Sequence, residues 1–428
     1  MSTRLAGMLK LEAGEFIPVA WSFGCFFCLL CGYYILRPLR DEMGIQGGVD
    51  ALAWVFSATF VVMLAVVPMF GWLVARFSRR GVVVVSHGFF VVNLLLFFVL
   101  LRADVAPEWV ARAFFVWVSV FNLFVISLFW SVMNDVFDSA QALRLFGMIA
   151  AGGSLGAIAV PGSTALLVEY LAPADLLPLS AALLAAAAVC ALRVMRVQRV
   201  EQRAHPSAKI RTESVWAGAL HVARSRYLLG ICAFIVLYSS LSTFLYFEQA
   251  RIVEDAFTDS AQRTQVFAVM DLATNTLTLA LQFLATARLV AWLGLPLALA
   301  LIPVAVAVGF GALGLAPTLV VLVVFQVARR AGNYAITKPA REMLFSVVSR
   351  EDKYKAKNFI DTVVYRGGDA ASGWLFTGLS AIGLGLSALA FAAVPLAAVW
   401  AGCGFALGRA RRARENDAEV VRNTRSSH

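Results

Sequence analysis

Charge is what this sequence has least of. Asp, Glu, Lys and Arg make up 14% of its 428 residues, where a water-soluble domain carries about 25%. Histidine is scarce too: there are four, no two of them spaced i, i+4, so a metal site has no support. No phosphate loop of the Walker type is present, which argues against a pump that hydrolyses ATP itself. Nor is there a His/Asp/Glu or Ser/Lys set at catalytic spacing, so an enzyme is the least favoured class and no cofactor is expected. The six cysteines all fall in apolar runs. Cys25, Cys28 and Cys31 imitate an iron–sulfur series but lack a fourth ligand, and cysteine in such a setting behaves as a small hydrophobe. A cleavable leader is not expected, because the first apolar run, from Phe16, is too long for one and has no A-x-A site.

What the chain has instead is apolar surface. Hydrophobic residues are 61% of it and the mean hydropathy is +0.79, which excludes disorder, coiled coils and secreted disulfide scaffolds. A helix needs about 20 apolar residues to cross a bilayer. Runs of that length lie at 16–36, 51–75, 82–101, 109–134, 146–168, 176–195, 228–247, 265–287, 291–312, 317–346, 359–382 and 384–408. The expectation is an all-α membrane protein of twelve transmembrane helices in two six-helix bundles. The first bundle takes 1–195, a basic linker 196–227, the second bundle 228–408 and a basic tail 409–428.

Lysine and arginine set the orientation. They crowd one alternating set of segments: Arg4 and Lys10, then Arg76, Arg79 and Arg80, then the linker from Arg193 to Arg226, then Arg350 to Lys357, and finally Arg409 to Arg425. The other set holds only Arg37, Arg40, Arg102, Arg112, Arg251 and Arg263. Both termini are therefore expected in the cytoplasm, with the protein in the cell's inner membrane. On this reading the net charge of +10 is a topology signal, not a nucleic-acid footprint.

Six plus six helices around a basic central loop is the layout of the major facilitator superfamily, whose halves are parallel repeats. Weak repeat signals agree. Asn134, Asp135 and Arg144 precede Gly152, Gly153 and Gly156, as Arg341, Glu342 and a charged loop precede Gly367, Gly368 and Gly373. GWLVARFSRRG (71–81) is similar to the superfamily's helix 2–3 loop. Gly152-x3-Gly156 and Gly404-x3-Gly408 read as close-packing sites.

Ionisable residues inside apolar runs each cost at least about 2.5–3.5 kcal/mol at the bilayer centre, so they must pair, meet water or work. One cluster ends the first run: Tyr33, Tyr34, Arg37, Arg40, Asp41 and Glu42, with Pro38 expected to bend the helix end. Spacing puts Arg37, Arg40 and Asp41 on one face, and a guanidinium pair clamps phosphate or carboxylate. A second cluster marks the tenth run, where Arg330, Asn333, Tyr334, Lys338 and Arg341 follow 3–4 spacing beside Arg329 and Glu342. That stripe is expected to meet a polar cavity or acids elsewhere. The third holds Lys355, Lys357, Asp361, Arg366 and Asp369, the two aspartates being expected partners of the tenth-run cations. Asp135, Asp138, Glu248 and Asp271 stand near other helix ends as candidate gates or proton carriers.

These clusters carry a family resemblance. YYILRPLRDEMGI, FWSVMND (129–135), TKPAREM (337–343) and KYKAKNFID (353–361) resemble, in the same order, segments of the ATP/ADP translocases of plastids and obligate intracellular bacteria. Arg40 stands where that family has a lysine, and Asp41 at its aspartate; Lys355 or Lys357 falls at its functional lysine. The resemblance implies a nucleotide antiporter that binds ATP or another phosphorylated anion, its adenine stacked on Tyr33, Tyr34 or Tyr334.

Together these readings predict a secondary transporter working by alternating access, with a small anionic solute and the lipid bilayer as its partners and a monomer as its state. Substrate-binding candidates are Tyr33, Tyr34, Arg37, Arg40, Arg330, Asn333, Tyr334, Lys338, Arg341 and Arg366. Coupling or gating candidates are Asp41, Asp135, Asp271, Glu342, Lys355, Lys357, Asp361 and Asp369. In this scheme Asp41, Glu342 and Asp361 hold the cations when no substrate is bound. A proton-coupled exporter, with Asp135, Asp271 or Asp361 titrating, is the alternative.

Overall fold

Helix starts follow the local chemistry. Ser78 caps one helix by accepting the Gly81 N–H at 3.2 Å, and Asp138 caps another in a reciprocal capping box with Gln141. Thr318 caps a third through the Val321 N–H, and Pro107, whose missing N–H costs nothing at a first turn, opens a fourth. The computed structural model describes residues 12, 14–197, 219, 222–284, 286–348, 356–357 and 359–426. Its helices are α1 (Phe16–Gln46), α2 (Leu52–Arg76), α3 (Arg79–Arg102), α4 (Pro107–Val136), α5 (Ser139–Leu167), α6 (Leu177–Val197) and α7 (Arg226–Ala256). There follow α8 (Ser260–Leu284), α9 (Thr286–Leu315), α10 (Leu319–Gly332), α11 (Lys338–Leu344), α12 (Tyr365–Ala381) and α13 (Leu386–Ser426). No strand occurs among the described residues.

Each of the twelve apolar runs falls on helix, and the chain is a multi-pass membrane protein. Eleven helices among the described residues are long and apolar enough to cross a bilayer. The run 359–382 is the exception: its helical stretch, the π-turn Ile360–Val364 followed by α12, carries Asp361, Arg366 and Asp369 and is too polar to count. Apolar side chains left uncovered, such as Val61, Val92, Val308 and Val320, lie on these spans, as lipid contact requires. The predicted ends need correcting. α1 does not stop near residue 36 but continues through Pro38 to Gln46, and α7 runs to Ala256 rather than 247.

Contacts divide the chain into two compact units. The first holds Met1–Gly48, Ala65–Arg211 and Phe257–Leu272; the second holds Val49–Leu64, Thr212–Ala256 and Ala273–His428. Thus α2 and α8 are each shared between units, and each unit draws on both halves of the sequence.

In the first unit α1 packs against α4, α5 and α6. Lipid removes the hydrophobic drive between helices, so association depends on close fit, and small residues allow it. A Cβ on Gly152 would lie 2.6 Å from the Phe23 carbonyl, and one on Gly156 would lie 3.1 Å from the Phe27 carbonyl, so glycine lets α5 touch the α1 backbone. Phe26 stacks on Phe129 at 4.4 Å and 13° beside this seam. In the second unit α9 packs on α13, and α7 on α12 and α13. Gly404 and Gly408 meet the Leu299 carbonyl and the Pro296 backbone there, at 2.8 and 2.5 Å from a built Cβ.

Candidate functional site

The first unit sets its ionisable groups in opposite-charge pairs. Along α1, Tyr33 and Tyr34 meet edge to face at 5.4 Å, and the Arg37 guanidinium lies 5.9 Å from the Tyr34 ring centre. Arg37 reaches Asp271 of α8 at 3.6 Å. Arg40 donates to Asp41, its Nη2 at 2.8 Å and its Nε at 3.2 Å, while its guanidinium lies over Phe115 at 4.8 Å. Glu42, with no exposed surface, pairs with Arg263 of α8 at 3.2 Å. The two α1–α8 pairs therefore run in opposite polarity, cation to acid and acid to cation. Asp135, at the end of α4, is bound by Arg79 of α3 at 2.8 Å. Arg37, Arg40 and Asp41 lie on continuous helix, as their spacing requires, but take different partners: Asp41 pairs with Arg40, and Arg37 with Asp271 of α8.

The second unit gathers the remaining candidates around the tenth span, where the helix changes winding. α10 passes into a π-turn, Asn333–Thr337, before α11. Pro339 explains the site: it offers no N–H to the carbonyl a turn earlier, and its ring would crowd that carbonyl in a regular α-helix. Such π-turns concentrate at functional sites.

Around this break, three carboxylates meet cations. Glu342 accepts from Lys357 at 2.6 Å, and Asp361 lies 3.9 Å from Arg341. Asp369 lies 3.6 Å from Arg366 on its own helix and accepts from the Thr243 hydroxyl at 3.3 Å. Asn333 donates to the Tyr238 hydroxyl at 3.0 Å. Tyr334 is exposed at one side of the turn, and Lys338 is exposed with no carboxylate within ion-pair distance among the described residues. Arg330 is half-buried next to Arg329. Lys355 lies outside the described residues.

The sequence reading places Arg329 beside the tenth-run stripe without giving it a role, and it does not include Tyr238, Ser242 or Tyr365. Arg329 donates to the Gln326 amide oxygen from Nε at 3.0 Å and from Nη2 at 2.8 Å, and to the Ser242 hydroxyl from Nη1 at 2.7 Å. Gln326, buried, donates in turn to Gln249 at 2.6 Å. Tyr238 and Tyr365 face each other with ring centres 6.0 Å apart, and Tyr238 lies 5.7 Å from Trp400. Only the doubled arginine marks this group in sequence; its partners come from α7 and α12.

No family model matches the sequence, and no curated protein matches it. Solved structures do. The nucleoside transporter NupG superposes with a TM-score of 0.64 at 15% identity, over 94% of this chain and 99% of its own. A bacterial homologue of the iron transporter ferroportin, in its inward-facing state, gives 0.64 at 13%, over 93% and 100%. The POT family transporter PepTSo gives 0.61 at 12%, over 94% and 98%. Likeness at this level of identity defines the fold: this is an all-helical membrane protein of the major facilitator type.

Proposed function

We propose that the chain is a secondary transporter that carries a small anionic solute by alternating access. The solute class proposed is a nucleotide or another phosphorylated metabolite, as the resemblance to the ATP/ADP translocases implies. The observation that carries this reading is the charge balance of the tenth span. Arg329, Arg330, Lys338 and Arg341 lie on one membrane-crossing stretch with Glu342 as its one acid. Cations kept in a span against their desolvation cost select an anion. Arg341 and Lys357 rest against Asp361 and Glu342. An anion that displaces those acids supplies the differential affinity a two-state carrier needs. Within the first unit, Arg37 and Arg40 are proposed as anion-binding residues, with Asp271 and Asp41 pairing with them when no solute is bound.

The test is uptake of labelled nucleotide into liposomes containing the purified protein. Exchange predicts uptake that depends on nucleotide preloaded inside and falls at least about tenfold without it. No uptake under either condition rejects a nucleotide carrier.

A second reading, proton-coupled export, is favoured by one observation. Glu248 of α7 has no exposed surface, and neither of its carboxylate oxygens has a hydrogen-bond partner among the described residues. A pH gradient that drives transport without internal nucleotide would favour this reading. The cell inner membrane and cytoplasmic termini are proposed from the loop charges.

A further inference from the structure

Arg329 is ten residues into α10, about 15 Å along its axis at 1.5 Å per residue, inside the candidate span Leu319–Val347. Every other cation described here with a carboxylate in reach is matched to one: Arg341 to Asp361, Lys357 to Glu342, Arg366 to Asp369. Arg329 has none within ion-pair distance among the described residues. It is held only by neutral oxygens, those of Gln326 and Ser242. Those contacts use three of its five N–H groups and fix the fork from two sides, by Gln326 a turn earlier and by Ser242 on α7. One N–H on Nη1 and one on Nη2 remain. Arg330 follows it in sequence as a second cation, and Asn333, a turn further on, links to Tyr238, whose ring centre lies 6.0 Å from that of Tyr365. The Tyr238 hydroxyl already accepts from Asn333, which leaves its proton to give.

A guanidinium oriented by neutral groups, with two N–H groups left to give and no carboxylate in reach among the described residues, is a receptor for oxygen anions. We infer that Arg329 binds the phosphoryl group of a phosphate monoester: its free Nη1 and Nη2 protons donate to two phosphoryl oxygens, and the hydroxyls of Tyr238 and Tyr365 donate beside them. Arg330 adds a second positive charge, which favours a dianion over a monocarboxylate. Ser242 and Gln326 are positioning residues, since each acts only through Arg329. The assignment rests on the anion-carrier reading above and narrows it to one residue and one functional group.

The experiment uses the purified full-length chain, with ribose 5-phosphate and acetate as probes in a calorimetric titration and ribose 5-phosphate uptake in liposomes as a parallel readout. Ribose 5-phosphate should bind the unaltered protein at least about tenfold more tightly than acetate. Arg329→Gln should weaken ribose 5-phosphate by about 10- to 100-fold, the loss of charge-assisted hydrogen bonds. Tyr365→Phe, which keeps the ring, should weaken it by about 2- to 10-fold, and Ser242→Ala should fall in the same range. If Arg329→Gln does not accumulate as folded protein, Tyr365→Phe and Ser242→Ala decide instead. Unchanged affinity in those variants, while the unaltered chain still binds and carries the ester, overturns the inference and leaves the anion carrier standing. No binding or uptake of either probe by the unaltered chain overturns the inference, and the nucleotide-exchange assay above then decides the carrier reading. Acetate binding as tight as the phosphate ester also overturns the phosphoryl assignment.

Discussion

The pair Glu42–Arg263 concentrates much of what burial does to charge. Both groups have left water, Glu42 completely and Arg263 nearly so. Taking one partner away leaves the other ion stranded, at a cost of about 3–5 kcal/mol. Glu42→Gln is therefore expected to lower the thermal midpoint sharply, and Glu42→Arg with Arg263→Glu to restore most of it. Melting curves in detergent on the three proteins check this; a single variant as stable as the parent would mean the pair carries no energy. A second residue-scale case lies outside the spans. Glu15 is buried beside the start of α5, where it accepts from the Glu12 N–H at 2.9 Å, from Gln141 at 3.0 Å and from Arg144 at 2.9 Å. Burial pushes its carboxyl up, but these donors outweigh burial and hold it below the ordinary value. A depressed folded pKa stabilises fully above the unfolded value of about 4.3 and is lost as pH falls through the folded value. The parent should lose stability across that acid window, whereas Glu15→Gln should be weaker at neutral pH and flatter below. Parallel pH–stability curves for the two proteins would contradict this.

Elements show where sequence reading works and where it stops. Hydropathy found every span because a membrane helix needs length and apolarity, both local properties. It placed the end of α1 too early because the residues after Leu36 are polar, and nothing nearby says that Asp271 and Arg263 will neutralise Arg37 and Glu42. The stripe on the tenth span was counted at 3–4 spacing from Arg330 to Arg341. The π-turn at Asn333–Thr337 inserts a residue into the winding, rotating everything beyond it by about 100°. Lys338 and Arg341 therefore leave the face that Arg330 and Tyr334 began. Arg329 falls outside the count for a different reason: it stands beside Arg330, ahead of the turn, and a 3–4 count begun at Arg330 steps past it. Pro339→Ala removes the residue that disfavours regular α-helix there. It should stabilise the protein by up to about 3 kcal/mol while lowering anion affinity, because the faces on either side rotate relative to each other. Unchanged affinity would make the turn a packing feature alone. Glycine seams are the opposite case, since Gly156 and Gly408 were legible from spacing and meet backbone as that spacing implies.

At the scale of the whole molecule, exchange and proton coupling make different demands on the same charges. An obligate exchanger keeps its cations compensated either by its own acids or by solute, so an unloaded carrier changes state slowly; the pairs Arg40–Asp41, Arg341–Asp361 and Lys357–Glu342 supply that internal compensation. Removing an acid from this set should loosen the requirement. Asp361→Asn frees Arg341, weakens the competition that solute must overcome, and should raise affinity for a phosphorylated anion while slowing its release. Uptake would then show a lower half-saturating concentration and a lower maximal rate, each by about threefold to tenfold. A proton-coupled carrier would behave otherwise. There Asp361→Asn would abolish the response to an imposed pH gradient without raising affinity, and Glu248→Gln would do the same. Measuring both variants with and without the gradient separates the cases. If neither responds to the gradient and Asp361→Asn binds more tightly, the charges of the tenth and eleventh spans act by competing with solute. If both lose a gradient response that the parent has, the exchange reading fails and the carboxyls are the coupling groups.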